Sequence, residues 1–291
     1  GAALSKSDVA VYAFAMRALE AAGVPLVGSV ELHVTWDEEA GSDRGAGWLL
    51  DQGLTRPTHA IAAGLSYGVA TAHNGCLQLE VEIEGRAAHA ALPGIGIDAL
   101  EAAHRLMAGL YAIRSAYPGR LSAGPGLGPP RLALNMIEGG SHPNVLPDQA
   151  RLRLDRRLIP EEDLDGVAAE LDACIAQAVS RLHAVEWRSR TILRAEPMAE
   201  TPANRALAER VSRHASAVLG EPVLPMGLPL FSEGRHYAAR GVPTVLYGAG
   251  PRSLDEANVH RADERVPLAE LHGATLVVLR VLTELLAPAR A

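Results

Sequence analysis

The sequence is poor in cysteine. Only Cys76 and Cys174 occur in 291 residues, far apart and neither in a CxxC pair. A disulfide framework and a cysteine-based zinc site are thereby excluded. Both lie in apolar patterns and read as small buried hydrophobes, which goes with a reducing, cytoplasmic setting. Basic excess is also missing: 27 Lys and Arg stand against 34 Asp and Glu, giving a net charge of −7. That balance argues against a general affinity for nucleic acid or anionic membrane surfaces, which favour basic patches. No apolar run is long enough to span a bilayer, and no basic-then-apolar signal segment opens the chain. Internal repeats and low-complexity tracts are absent apart from a general richness in alanine. What remains, 48% hydrophobic and 21% charged residues, is the composition of a globular protein long enough for one large domain or two ordinary ones.

Two textures alternate along the chain. Val9–Ala22 has the period of an amphipathic helix, with Ala10, Phe14, Ala18 and Ala21 on one face, ended by Gly23 and Pro25. Ser29–Thr35 (SVELHVT) alternates like a strand and leads into Asp37-Glu38-Glu39, after which a short helical segment lies near Ala46–Leu50. Helix, strand, acidic loop, helix is the order of a layered α/β sheet, in which functional groups gather at strand C-termini. From Leu77 the pattern changes: a one-face strand over Leu77–Glu84, a helix over Ile97–Ser115, a loop over Arg120–Pro130, strands at Arg131–Ile137 and Ala150–Leu154, and a helix over Glu161–His183. That succession predicts a compact ferredoxin-like α+β sheet with two helices on one face. Layered grammar then returns, with a helix over Asn204–Leu219, a loop at Pro225–Arg235, a strand at Pro243–Leu246 and a helix over Leu268–Leu286. The expected organisation is an α/β domain with a mainly parallel sheet, residues 1–72 and 191–291, interrupted by an α+β domain, residues 73–190.

Several residues could carry chemistry. Three adjacent carboxylates at Asp37-Glu38-Glu39 repel one another unless a proton or cation relieves them. The cluster is either a solvated acidic loop or a metal centre in which one carboxylate binds and another activates water. His260 in NVHRADE is either surface or a metal ligand. His89 in GRAAHAALP follows the alternating strand, and Asn144 and Arg157 lie in the same inserted segment. Arg235 stands in the larger domain's loop. An arginine fork and an amide converging on a cleft would hold a carboxylate.

In order and spacing, TWDEEAG, GRAAHAALP, GGSHPNVLPDQARLRLDRRLIP, FSEGRHYAARGVPTVLYGAGP and NVHRADERVPL resemble the two-zinc exopeptidases and deacylases. That family includes aminoacylase, carboxypeptidase G, acetylornithine deacetylase and succinyl-diaminopimelate desuccinylase. The resemblance implies a catalytic domain interrupted by a lid that mediates homodimerisation, and hydrolysis of amide bonds in N-acyl amino acids or small peptides. It assigns Glu38 as general base, Glu39 and His260 as zinc ligands, and His89 as the group that polarises the scissile carbonyl. Asn144 and Arg235 would contact the substrate's carboxylate or the transition state, and Arg157 would join them or brace the lid. The pattern is broken in three places. The family's His-x-Asp would lie upstream of Gly1, as though the N-terminal part of the catalytic domain were missing. Leu4 stands where a bridging aspartate is expected, with Asp8 about one helical turn away. Gly64 stands where a further acidic ligand is expected, with His59 the nearest ligand-capable residue. These departures leave two other readings open: a non-catalytic binding or assembly protein, and an enzyme of altered chemistry without a full two-metal site.

Overall fold

The computed structural model describes every residue except 1, 4, 24, 181–183 and 289–291. In chain order the elements are α1 (Lys6–Ala21), α2 (Trp48–Asp51), β1 (Ala60–Ala62), β2 (Gly68–His73), β3 (Gly75–Glu84), β4 (Ala88–His89), α3 (Ala99–Ala116), β5 (Arg131–Gly139), β6 (Val145–Leu146), β7 (Gln149–Leu158), α4 (Leu164–Val179), β8 (Glu186–Ala195), α5 (Pro202–Leu219), β9 (Leu224–Leu228), α6 (Gly234–Ala238), β10 (Thr244–Leu246) and α7 (Leu268–Leu286). Two compact units result: Gly1–His73 with Met198–Ala291, and Asn74–Pro197. No described helix is long and apolar enough to cross a membrane.

The first unit is built on a four-stranded sheet of order β1-β10-β2-β9. β1 with β10 and β2 with β9 are parallel, and β10 with β2 is antiparallel, so the sheet is mainly parallel. The whole of β2 is buried, as befits a strand covered on both faces. Val69 and Val245 from the sheet pack with Val11 of α1, Val211 of α5 and Val277 of α7 in one core. α1 buries Ser7, Asp8, Val11, Ala15 and Leu19, a row one position round from the expected Ala10–Phe14–Ala18 row. Phe14 is 58% exposed. The small size of the alanines leaves either row able to meet a neighbouring helix, so the apolar period alone does not fix the helix's rotation.

Ser29–Thr35 forms no strand, a departure from its alternation. Its polar residues face the unit: Thr55 Oγ1 donates to Glu31 at 2.6 Å, His33 meets the Tyr237 hydroxyl at 2.6 Å, and Thr35 Oγ1 donates to Glu233 at 2.5 Å. Val34, on the opposite side, is 54% exposed. The period of two is real, but side-chain bonds hold the segment where a ladder was expected. β1, β2 and β9 were not anticipated: the first is three residues long, and the last falls in the expected Pro225–Arg235 loop.

The second unit has the order β5-β7-β3-β8, all antiparallel, with the βαββαβ succession of a ferredoxin-like fold. Leu77, Leu79, Val81 and Ile83 of β3 point to one face and pack with Leu106 and Leu110 of α3 and Leu171 and Ile175 of α4. On the other face Glu80 binds Arg153 and Arg190, both at 2.6 Å, and these hydrogen bonds hold its carboxyl down near 2. Helix starts follow their caps: Asp98 accepts from the amides of Leu100 and Glu101, and Asp163 from that of Gly166. β8 runs past residue 190 to Ala195 and lies wholly in this unit.

Candidate functional site

The acidic triplet divides its labour. Asp37 is structural: its Oδ2 accepts from the amides of Arg44 and Gly45 at 2.8 and 3.0 Å. Those bonds satisfy amides at the start of the helical turn Asp43–Gly47. Glu38–Ala40 then forms a single 3₁₀ turn, closed by the Gly41 amide donating to the Glu38 carbonyl at 3.0 Å. Gly41 has φ 103°, a conformation that favours glycine. Glu38 is half-buried and Glu39 exposed.

This turn is fastened from α6. The Arg235 guanidinium, 5% exposed, donates to the Gly41 carbonyl, and His236 Nε2 meets the same oxygen at 3.2 Å. Arg235 also reaches the Ser232 carbonyl at 3.4 Å and Asp43 at 3.9 Å. Burial first, then the neighbouring Arg235 charge, lowers the basicity of His236. Arg235 therefore braces the Glu38–Ala40 turn through backbone oxygens. Beside it lies a relay absent from the sequence-based expectations. Glu31 Oε2 lies 3.1 Å from His33 Nε2, and His33 Nδ1 lies 2.6 Å from the Tyr237 hydroxyl. Burial raises the Glu233 carboxyl and pushes Tyr237 up to about 12. The polar alternates of SVELHVT were the available signal for this cluster, together with Glu233 and Tyr237 on either side of Arg235.

His260 is exposed with a left-handed backbone, φ 61°, and its amide donates to Glu264 at 3.3 Å. Among the described residues no group of three or more His, Cys, Asp or Glu is gathered so as to hold a metal ion. At Gly64 the reason is steric. A Cβ there would lie 2.5 Å from both Leu246 C and Tyr247 N, on the backbone leaving β10. His59 is exposed and bonds locally, to Thr58 at 3.2 Å. Leu4 lies outside the described residues.

In the second unit His89 and Asn144 come together. His89 pairs with Val145 in the β4–β6 ladder, and the Ala90 amide donates to the Asn144 carbonyl at 2.9 Å. His89 Nδ1 accepts from the Ala91 amide at 3.1 Å. The neutral ring thus carries its proton on Nε2 and presents a donor there. Arg157 is held by Asp155, at 2.7 and 3.0 Å, on the strand face opposite its neighbour Arg156. Strand alternation sends Arg156 inward, fully buried, to the Tyr117 hydroxyl at 3.0 Å and Glu162 at 2.6 Å.

Comparison with known proteins gives these geometries a lineage. Residues 71–182 match the family model of the peptidase dimerisation domain. N-acetyl-L-citrulline deacetylase of Xanthomonas campestris is 28% identical over 84% of this chain and 64% of its own length. Acetylornithine deacetylase of Myxococcus xanthus is 29% identical over 85% and 62%. The chain thus spans just under two thirds of these relatives. In fold, the aminopeptidase PepT of Bacillus cereus superposes with a TM-score of 0.73 at 19% identity, covering 94% of this chain and 70% of that one. Residues 71–182 therefore carry the match to the peptidase dimerisation domain, and the chain as a whole is similar to acetylornithine deacetylase, succinyl-diaminopimelate desuccinylase and aminoacylase.

Proposed function

We propose that this protein hydrolyses the amide bond of N-acyl amino acids or small peptides, as a homodimer associating through its second unit. The observation that carries this reading is the Glu38–Glu39 turn: Asp37, Gly41 and Arg235 fix its backbone while leaving Glu38 half-buried and Glu39 exposed. The relatives, among them deacetylases and deformylases, support the reaction class. Glu38 would take the proton of the attacking water and return it to the leaving amine. His89, with its proton on Nε2, has the donor needed to polarise an amide carbonyl. Asn144, beside it, and Arg157 are the candidate contacts for a carboxylate-bearing substrate. Arg235 acts through the turn it braces.

Zinc accompanies the family resemblance, with Glu39 and His260 as the assigned ligands. The described residues do not fit a two-zinc centre. Glu39 and His260 are exposed and belong to no group of three donors, and Gly64 has no room for a carboxylate.

The crowding at Gly64 favours a second reading, a family member that binds or assembles without hydrolysis, or one of altered chemistry. A panel of N-acetyl and N-formyl amino acids and dipeptides separates the two. Amine release that is lost in Glu38→Gln supports hydrolysis, whereas a folded dimer that binds these compounds and turns none over supports the second reading.

A further inference from the structure

Asp8 has no role in the hydrolytic reading, yet it is among the most enclosed polar groups in the first unit, at 1% exposure. It lies in the first turn of α1 but serves another segment: its Oδ1 accepts from the Ala249 amide at 2.7 Å. Gly248 must be glycine for this contact, because a Cβ there would overlap Asp8 Oδ1. Around the carboxyl, the Gly250 amide donates to the Gly64 carbonyl at 2.9 Å. Ser66 Oγ donates to the carbonyls of Gly248 and Gly250 at 3.0 and 3.1 Å. Three chain segments, the start of α1 and the turns at 64–66 and 248–250, close on one side chain. Among the described residues its Oδ2 is buried without a hydrogen-bond partner.

The surroundings are wrong for a carboxylate. Tyr12, one turn along α1, donates to the Tyr247 carbonyl at 2.8 Å and feels both Asp8 and Glu233. The Tyr247 hydroxyl is itself buried, with no hydrogen-bond partner among the described residues. These facing groups are acids, and among the described residues no cationic side chain acts on Asp8. An ionised carboxylate enclosed without a cation is costly, so a proton or a metal ion must relieve it. Burial pushes the Asp8 carboxyl up to about 7, although the amides of Ala249, Ser5 and Gly64 oppose the shift. For a metal, Gly64 is the missing partner, since its turn packs against the β10 backbone with no space for a ligand.

We propose that the carboxylic acid of Asp8 holds the start of α1 to the Gly64 and Gly248–Gly250 turns, so that a proton closes this junction and no divalent metal binds there. The inference is independent of whether the protein hydrolyses amides. Between the ordinary carboxylate value of 3.8 and about 7, the folded chain keeps a proton that the unfolded chain has released. Stability from this group is therefore present at low pH and lost as pH rises through that window, by up to about tenfold in the folded-to-unfolded ratio per pH unit. Above it both states are ionised and the slope vanishes.

The test is thermal and chemical unfolding of wild type and Asp8→Asn between pH 5 and 9, with zinc chloride or with EDTA. Wild type is expected to lose stability from pH 5 to about 7, and the variant to lose much of that slope. Zinc should change neither. Equal slopes in the two proteins would overturn the proposal. So would zinc that raises the wild-type melting temperature and binds near one to one by calorimetry, with both effects lost in Asp8→Asn. If the variant does not fold, infrared spectroscopy of the wild type labelled at aspartate decides. A buried acid band at pH 5 that fades as pH approaches 8 is expected, and its absence at pH 5 refutes the assignment.

Discussion

Replacing Gly64 by alanine should destabilise the first unit, with a magnitude set by the local packing. The added Cβ would sit 2.5 Å from Leu246 C and Tyr247 N and 2.9 Å from Leu246 O. All three are backbone atoms, so no rotamer change relieves the clash. β10 is an interior strand, bonded to β1 on one side and β2 on the other, and cannot shift without disturbing two ladders. Overpacking of this kind costs about 1–3 kcal/mol, more where the neighbours cannot move. At about 2–4 °C per kcal/mol for a chain of 150–250 residues, a fall on the order of 5 °C or more in melting temperature follows. The control is Gly273→Ala, in the interior of α7. There the Cβ meets only Leu219 Cδ2 at 3.4 Å and Val218 Cγ1 at 3.9 Å, ordinary contacts. Relief of the helical glycine penalty should stabilise that variant by about 0.5–1 kcal/mol. Differential scanning calorimetry of both variants gives opposite signs for the same chemical change. A Gly64→Ala protein that melts within a degree of wild type would refute the packing, and with it the steric reason why an acidic ligand is excluded there.

Three further outcomes follow from named contacts. Asp37→Ala frees the amides of Arg44 and Gly45 at the start of a helical turn and should cost about 0.5–2 kcal/mol, seen as faster hydrogen exchange confined to residues 38–47. Arg156→Ala strips the buried partner from Glu162 and the Tyr117 hydroxyl. It should cost about 3–5 kcal/mol by denaturant unfolding, whereas Arg157→Ala, half-exposed on the other face, should cost well under half of that. Arg235→Lys removes the fork that grips the Gly41 carbonyl. It should lower kcat on whichever amide is turned over, with far-ultraviolet circular dichroism unchanged.

The second unit was the more legible in the sequence. LQLEVEIE alternates without interruption, and the succession of strands and helices predicts a ferredoxin-like sheet with two helices on one face, while the caps Asp98 and Asp163 went unread. The first unit was legible in its helices: α7 spans the expected Leu268–Leu286. It was poorly legible in its sheet. Strands of three to six residues, of which β2 and β10 are buried throughout, carry little periodicity to read. SVELHVT misled because its polar residues are held by side-chain bonds to Thr55, Tyr237 and Glu233 instead of by a strand ladder. At the candidate site the motif residues were found from sequence, but the division of labour among them was not. That Asp37 satisfies amides, that Arg235 grips a carbonyl and that Asp8 is buried depend on neighbours about 200 positions away or on backbone conformation.

The most direct measurement is amine release from a panel of N-acyl amino acids and dipeptides by wild type and Glu38→Gln, with dimerisation and fold verified in both. Turnover by wild type, reduced at least about 100-fold in Glu38→Gln with KM little changed, is the expected result for a general base. Turnover that survives the substitution would contradict the role given to Glu38, and a folded wild-type dimer that cleaves none of the panel would contradict the hydrolytic reading itself.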